Sequence, residues 1–253
     1  MTVNEHYELP EKKQFHIRCG PGDIGRYVLL PGDPGRISLI AQLLDNVCEV
    51  AYNREHRTIT GYYQGLKVTA TSTGMGCPST AIAVEELIRI GARVLVRVGS
   101  TAGMADQVQD GDYILPTGAV PLEGTSRIYL DNDPFSAVAD FDVVHALYDS
   151  ALASGKRVHT GLVLVHDAFY AESEEFLLRW HRRNVLSVEM ESSILYVLGT
   201  LRGVKTGSFH LAGGNLINKH RAAWTEEQME QARYYQHKIV LDAFKALEAS
   251  GKA

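Results

Sequence analysis

The stretch YVLLPGDPGR, residues 27–36, combines a short apolar run with a loop rich in glycine and proline. Four consecutive apolar residues bounded by such a loop predict a buried β-strand, because a strand covered on both faces needs no alternation of polar and apolar residues. The loop exposes backbone N–H groups and ends in Arg36, whose planar guanidinium suits phosphate. It therefore predicts either an anion site or a plain turn with a surface arginine.

Two later segments repeat the arrangement of a strand followed by a glycine-rich loop. The apolar run at 66–73 leads into TGMGCPST (73–80), and the run at 94–98 leads into GSTAG (99–103). Arg97 lies inside the second run, between two valines. A charged side chain in a buried strand is costly unless it is paired. Arg97 is therefore either one half of a structural ion pair or a ligand for an anion.

The rest of the chain alternates between strand and helix patterns without a repeat or a linker. This alternation predicts a single α/β domain over 1–253, with a polar N-terminal arm at 1–15, a mostly parallel central sheet and helices on both faces. Ligands of such sheets bind beyond the carboxyl ends of the strands, where the glycine-rich loops lie. The other predicted strands are 47–52, 58–63, 113–120, 158–165 and 205–211, and the predicted helices are 37–44, 78–90, 140–153, 188–201 and 225–247.

Composition and charge exclude several classes of protein. With 25 Lys and Arg against 30 Asp and Glu, the formal net charge is −5, which argues against a surface that coats nucleic acid. No stretch approaches the roughly 18 uninterrupted apolar residues of a membrane span, and the polar N-terminus is unlike a signal peptide. The three cysteines lack the spacing of a metal site or a disulfide framework. We therefore expect a cytoplasmic protein with no metal, and with neither nucleic acid nor a membrane as partner.

Two carboxylates stand at the start of the helix predicted from residue 188, in the segment VEMES (188–192). Acidic side chains at a helix N-terminus are favoured by the helix dipole, which is a purely structural explanation. A carboxylate can also accept two hydrogen bonds from the vicinal hydroxyls of a sugar. The segment alone does not choose between these two interpretations.

Eight segments in one order give the chain a resemblance to a known family. It resembles the hexameric-type nucleoside phosphorylase family, and most closely the uridine phosphorylase branch, over nearly its whole length from about residue 15. The segments are FHIRCGPGDIGRYVLLPGDPGR (15–36), YNRE (52–55), STGMGCPSTAIAVEEL (72–87), RVGSTAG (97–103), LEGTSRIY (122–129), HDAFY (166–170), VEMES (188–192) and GGN (213–215).

The resemblance implies a single-domain, three-layer α/β sandwich with a mixed central sheet. It also implies phosphorolysis of a nucleoside to free base and ribose 1-phosphate, with inorganic phosphate as co-substrate and no cofactor. The partners implied are a nucleoside, phosphate and further copies of the chain, in a dimer or a hexamer built as a trimer of dimers.

Each matching motif implies roles for particular residues, with Arg97 and Glu191 as the catalytic pair. Arg54 and His16 would reach into the site of a neighbouring subunit. The phosphate would be held by Gly32, Arg36, Arg54, Arg97 and Ser100, the ribose by His16, Met190 and Glu191, and the base by Phe169, Ser173 and Asn215.

The base-binding segment departs from the family pattern. Uridine phosphorylases typically read uracil with a glutamine and an arginine shortly after the FY pair, and here these positions hold Ser173 and Glu175. Purine-preferring relatives carry an aspartate near the end of the late strand, where this chain reads AGGN (212–215). We therefore expect uridine or a related pyrimidine nucleoside as substrate. The alternatives are a purine nucleoside phosphorylase, a nucleosidase that uses water, which the retained arginines argue against, and a nucleoside-binding protein that has lost turnover.

Overall fold

The strands of the protein form one mixed sheet. A computed structural model describes residues 12–220 and 223–252, so most of the predicted N-terminal arm, residues 1–11, lies outside the described part. The strands are β1 (Tyr27–Leu30), β2 (Asp45–Asn53), β3 (His56–Tyr63), β4 (Leu66–Thr71), β5 (Val94–Gly103), β6 (Tyr113–Pro121), β7 (Ala137–Val138), β8 (Val158–Val165), β9 (Ser187–Glu189) and β10 (Lys205–Asn215).

Helices cover both faces of this sheet. Within the described residues, none of them is long and apolar enough to cross a membrane. They are α1 (Ile37–Ala41), α2 (Cys77–Arg89), α3 (Gly124–Tyr129), α4 (Phe141–Ala153), α5 (Glu174–His181), α6 (Ser192–Arg202) and α7 (Glu226–Ser250).

Strand β1 shows how the three layers arise from the sequence. Successive side chains of a strand point to opposite faces of a sheet. Val28 and Leu30 pack in one core with apolar residues of α2 and α6. Tyr27 and Leu29 pack in a second core with residues of α1, α4 and α7. All four side chains are buried, which explains the uninterrupted apolar run and confirms the predicted α/β sandwich.

The sheet is mixed, as the family resemblance implied. Five of the strand pairings are parallel and five are antiparallel, so the mostly parallel sheet predicted from alternation alone is wrong. The difference arises because hairpins extend the sheet at β2 and β3, and because β10 and β6 run in opposite directions. The pairings of β5, β10, β6, β8 and β9 follow one another around a closed ring.

Strand β5 changes partner halfway along one of its edges, and this positions the site. On that edge β1 pairs with β5 only as far as Arg97. Strand β9 takes over at Ala102 and Gly103. The opposite edge of β5 pairs with β10 along most of its length. The segment 98–101 therefore has no strand beside it on the first edge among the described residues, and a gap opens in the sheet directly after Arg97.

Several predicted boundaries were wrong. The helix predicted over 188–201 begins only at Ser192, because Val188 and Glu189 belong to β9 and pair with β5 and β8. The strand predicted over 94–98 continues to Gly103, and the helix predicted over 37–44 ends at Ala41. Helices α3 and α5 were not predicted at all. The helix predicted from residue 225 is α7, which begins at Glu226 with Thr225 as its N-cap, and Thr225 and Gln228 form a capping box.

Candidate functional site

Arg97 occupies the floor of the gap beside β5 and is only 5% exposed. Its Nε donates to Oε2 of Glu189 at 2.9 Å, and its Nη2 forms an ion pair with Oε2 of Glu191. Although burial disfavours the charged guanidinium, the two glutamates raise the pKa of Arg97. The third nitrogen, Nη1, is buried and has no partner among the described residues. Arg97 therefore forms a structural ion pair and still has a donor free for an anion, so the two interpretations of its role are compatible.

Arg36 approaches the same place from the loop after β1. Its Nη2 donates to Oγ of Ser100 at 2.9 Å, and its buried Nε has no partner in the part of the chain that the structure describes. Asp33 caps the short turn that carries the arginine, because its Oδ1 accepts from the backbone N–H of Gly35 at 2.8 Å. Burial, together with the charges of Arg233 and Arg97, lowers the pKa of Arg36 to about 10.

The loops after β1 and β4 are joined by backbone hydrogen bonds. The N–H of Thr73 donates to the carbonyl of Pro31, and the N–H of Gly74 donates to the carbonyl of Gly32, both at 2.9 Å. A Cβ atom placed on Gly32 would lie 3.7 Å from Nη1 of Arg97, so the loop runs directly above the unused donor. The predicted phosphate residues of the loop after β1, Gly32 and Arg36, therefore lie beside those of β5, Arg97 and Ser100.

Gly99 can only be glycine because two functional side chains pass close to its Cα. A Cβ atom there would lie 2.8 Å from Nη2 of Arg97 and 2.8 Å from Nδ1 of His210. Both distances are shorter than a carbon atom tolerates. This glycine allows the guanidinium and the imidazole to flank the strand backbone.

Glu189 and Glu191 accept hydrogen bonds from different groups near the start of α6. Glu189 accepts from the backbone N–H groups of Glu191 at 3.1 Å and Ser192 at 2.8 Å, so its carboxylate holds the helix start in addition to Arg97. Glu191 accepts from the N–H of Gly76 at 2.7 Å. Burial raises the pKa of Glu191, with Glu189 adding to the effect and Arg97 opposing it. Glu189 was not predicted as a site residue, although it lies in the same VEMES segment.

Met190 lies between the two glutamates and is half-buried. Its backbone carbonyl accepts from Sγ of Cys77 at the start of α2. The structure therefore brings together Gly32, Arg36, Arg97, Ser100, Met190 and Glu191.

His16 and Arg54 lie elsewhere on the protomer but close to each other. Nδ1 of His16 contacts Oε1 of Glu86 at 2.7 Å. The side chain of Asn53 donates to the carbonyl of His16 at 2.7 Å, and Arg54 follows in the turn between β2 and β3 with an exposed side chain. No ion pair or hydrogen bond of the described residues joins either side chain to Arg36 or Arg97.

Phe169 and Ser173 follow β8, beside the site. Phe169 is 60% exposed, and its ring meets that of Tyr170 edge to face. Ser173 is the N-cap of α5, with Oγ accepting from the backbone N–H of Phe176 at 3.2 Å. The side chain of Ser173 thus has a structural task in addition to the predicted contact with a base.

Asn215, which was predicted to contact the base, has a structural role where β10 ends. Its amide group donates to the carbonyls of Ala105 at 2.8 Å and Val108 at 3.0 Å. Its carbonyl oxygen accepts from the N–H of Ile217 at 2.9 Å. These bonds use the amide hydrogens inside the protein, at a buried position where β10 ends.

A buried acid–base pair beside Phe169 was missed in the sequence. Nε2 of His166 contacts Oε1 of Glu172 at 2.9 Å, and the imidazole ring packs against Phe176 with 5.1 Å between ring centroids. Glu172 precedes Ser173 in the segment where the chain departs from the family pattern.

One cluster has the composition of a metal site but serves the helices. Cys77, Glu123 and Asp167 place ligand atoms within 4.8 Å of one another. The carboxylate of Glu123 accepts from Ser126 and Ser193, both at 2.9 Å, and Asp167 accepts from the N–H of Gly124. Burial raises the pKa of the Cys77 thiol. We assign no metal to these residues.

Comparisons with known proteins agree with the geometry. The family model described as "Phosphorylase superfamily" matches residues 26–244. The chain is 37% identical to a uridine phosphorylase from Thermococcus kodakarensis, over 98% of this chain and 94% of that protein. It is also 37% identical to a guanosine phosphorylase from Halorubrum lacusprofundi, over 87% of this chain and 92% of the relative. A solved uridine phosphorylase from Vibrio fischeri superposes with a TM-score of 0.84 at 32% identity, covering 92% of this chain and 98% of the other.

Proposed function

Because the chain belongs to the phosphorylase superfamily, as its motifs predicted, we propose that it catalyses phosphorolysis of a nucleoside. The substrate is uridine or a related pyrimidine nucleoside, and the products are the free base and ribose 1-phosphate. One observation carries the proposal: buried guanidinium nitrogens of Arg36 and Arg97, beside Ser100 and Gly32, have no hydrogen-bond partner among the described residues. Such donors suit the oxygens of a phosphate ion.

The reaction exchanges one bond of the sugar for another. The bond between C1′ of the ribose and the ring nitrogen of the base breaks, and its electron pair leaves with the base, which takes up a proton. A phosphate oxygen forms the new bond to C1′. The sugar resembles an oxocarbenium ion in between, so the protein has to position an anion and stabilise positive charge. Phosphate is the co-substrate, and the reaction needs no cofactor.

Arg97 and Glu191 form the catalytic pair in this proposal. Nη1 of Arg97 and Nε of Arg36 hold the phosphate below C1′. Glu191 accepts hydrogen bonds from the ribose hydroxyls, beside the thioether of Met190. Its ion pair with Arg97 favours the carboxylate form despite burial, and that negative charge also favours the developing cation.

Two residues complete the site of a neighbouring subunit, so we propose a homo-oligomer, either a dimer or a hexamer built as a trimer of dimers. Arg54 would reach the neighbour's phosphate and His16 the 5′-hydroxyl of its ribose. The link from Asn53 to His16 supports this, because it holds the two segments together at one place on the protomer. Arg54 is exposed and is therefore available to a second copy.

The base stacks on Phe169 in this proposal, next to Ser173. A purine is the second candidate, and specific observations favour it. Glu175 stands where the uridine phosphorylase pattern has an arginine, and one relative at 37% identity is a guanosine phosphorylase. A carboxylate can accept two hydrogen bonds from N1–H and the 2-amino group of guanine, whereas uracil offers a single N3–H donor.

One experiment tests these choices. The purified protein is incubated with uridine, cytidine, inosine and guanosine, each with and without inorganic phosphate, and free base and ribose 1-phosphate are measured. We expect uridine to be cleaved only when phosphate is present. Cleavage of guanosine alone contradicts the pyrimidine choice and supports the purine candidate. Base release without phosphate indicates a nucleosidase, and tight nucleoside binding without cleavage indicates a binding protein.

We place the reaction in the cytoplasm, as a step of nucleoside salvage. Nucleosides from nucleotide turnover and inorganic phosphate are both available there. The three cysteines are all free, which suits a reducing compartment.

A further inference from the structure

One face of α7 points at the gap beside β5. The side-chain amide of Gln236 donates to the carbonyls of Gly99 and Phe209, both at 2.7 Å. The hydroxyl of Tyr113 donates to the backbone carbonyl of Ala232 at 2.7 Å, which holds the helix in place one turn earlier. Arg233 lies three residues before Gln236, and side chains at this spacing share a face of a helix. Arg233 is therefore directed toward the surroundings of Gly99 and Ser100.

Unpartnered polar atoms concentrate at this point of the molecule. Thirteen buried side-chain nitrogen and oxygen atoms lack a hydrogen-bond partner among the described residues, and seven of them surround the gap. Buried polar atoms are almost always hydrogen-bonded, so a local excess calls for a missing partner. The seven belong to Arg36 (Nε), Arg97 (Nη1), His210 (Nδ1), Arg233 (Nε), Gln236 (Oε1) and His237 (Nδ1 and Nε2).

The guanidinium groups of Arg36, Arg97 and Arg233 restrict the chemical class of the missing hydrogen-bond partner. A guanidinium can only donate, so it needs an acceptor. The positive charge of Arg97 is already balanced by its ion pairs with Glu189 and Glu191. None of the ion pairs found within the described ranges includes Arg36 or Arg233. The carboxylate of Asp33 acts on Arg36 from the same loop. Three arginines therefore face three carboxylates around the gap, and Arg233 has no ion-pair partner among the described residues.

The electrostatic influence of these groups on one another shows that they are close. The charge of Arg233 contributes to the lowered pKa of Arg36. Burial lowers the pKa of His237 to about 3, and Arg36 and Arg233 act in the same direction. His237 is therefore neutral and adds no charge of its own at neutral pH.

We propose that Arg233 is a further phosphate-binding residue and that α7 forms one wall of the phosphate site. That the anion is phosphate rests on the proposed function. That the guanidinium of Arg233 lies at the gap rests on the contacts of α7. Without Arg233 the three carboxylates near the gap, those of Asp33, Glu189 and Glu191, outnumber the arginines, and with it the charges balance. Arg233 therefore adds a positive charge and a further donor for a phosphate dianion.

The test measures binding of inorganic phosphate by calorimetry, with no nucleoside present. We expect Arg233→Gln to raise the dissociation constant for phosphate at least tenfold and Arg233→Lys to raise it less, because lysine keeps the charge but not the fork of donors. The matched control is Lys245→Gln on the same helix, whose ammonium donates to the carbonyl of Gln64 away from the site. This control removes one positive charge and should bind phosphate like the wild type.

Phosphate affinity of Arg233→Gln equal to that of the wild type overturns the proposal. Thermal unfolding without phosphate shows whether each variant is folded, and if Arg233→Gln is not, Arg233→Lys decides by its own dissociation constant. The two proposals fail in different ways. A wild type that binds phosphate but cleaves no nucleoside refutes the phosphorylase function and leaves Arg233 in place. Phosphorolysis with an unchanged KM for phosphate in Arg233→Gln refutes the role of Arg233 alone.

Discussion

Arg97 and Glu189 form a buried ion pair, with 2.9 Å between Nε of the arginine and Oε2 of the glutamate. The same carboxylate accepts from the backbone N–H groups that begin α6, where Glu191 is held. Arg97 and Glu191, the proposed ligand of the ribose, are thus oriented by one intermediate side chain. A change at Glu189 would move both of them, although Glu189 itself is not required to touch a substrate.

Replacement of Arg97 by alanine should abolish phosphorolysis and weaken the fold. The variant loses a phosphate donor and leaves two buried carboxylates unpaired, a loss of about 3–5 kcal/mol in the free energy of unfolding. We expect the rate of base release to fall by about a thousandfold or more. Base release and urea unfolding are the measurements, and Arg93→Ala, an exposed arginine on the same segment, is the control. Near-normal phosphorolysis in a folded Arg97→Ala would contradict the site assignment.

Removal of the Phe169 ring should weaken nucleoside binding without affecting phosphate. Stacking of a base on an aromatic side chain is worth roughly 1–3 kcal/mol, so Phe169→Ala should raise the KM for the nucleoside about tenfold. Tyr170 is the matched control, because it is the adjacent aromatic residue and is 99% exposed. Steady-state kinetics with each substrate varied in turn measure both constants. An equal effect of Tyr170→Ala would mean that Phe169 has no special place in the site.

Two inactive variants should restore activity when their subunits are mixed. If Arg54 serves the neighbouring subunit, a dimer of one Arg54→Ala chain and one Arg97→Ala chain contains one intact site and one doubly defective site. Random reassembly should then recover about a quarter of the wild-type activity per site. The measurement is base release after joint unfolding and refolding of the two purified variants. No recovery, with mixed dimers confirmed by distinct tags, would show that Arg54 acts in its own subunit or not at all.

His237 should make the protein less stable in acid. Its pKa is about 3 in the folded protein, well below the ordinary value for histidine, so the unfolded chain binds more protons and stability rises with pH. The stability is fully present above about pH 6.5 and is lost as the pH falls, by about 2–3 kcal/mol at pH 4.5. The loss of stability between the two pH values should therefore be smaller by that amount in His237→Leu, because buried His210 still contributes to it, and unchanged in His145→Leu, which changes an exposed histidine. Urea unfolding at both pH values gives the difference.

Much of the fold could be predicted because buried strands leave a plain signal. The predicted strands at 27–30 and 158–165 coincide with β1 and β8, since each run of apolar residues ends where a polar loop begins. The three residues of β9 give no such signal. Their strand conformation depends on pairing with β5 and β8, which are distant in the sequence. The local pattern around Val188 therefore favoured a helix.

Some residues of the candidate site could likewise be predicted from their local sequence, whereas others are brought there by contacts between distant segments. Arg36 and Arg97 were found because each stands next to a strand end or within a buried strand, where a charge needs a reason. Glu189 and Arg233 were missed because each resembles an ordinary charged residue on a helix until the fold brings it to the gap. The structural role of Asn215 was missed because the sequence does not show which backbone carbonyls its amide will meet.

The closed ring of strands has a consequence for how the protein is made. Strand β5 is synthesised about a hundred residues before β10, with which it pairs along most of its length. Contacts this far apart in sequence form slowly, and a nascent chain exposes its unpaired strands in the meantime. Arg97 and Glu189 therefore remain exposed to water at an unpaired strand edge until β10 has been synthesised. Burial of the candidate site around Arg97 is therefore among the final events of folding. A chain truncated before β10 contains every earlier motif but cannot bury them.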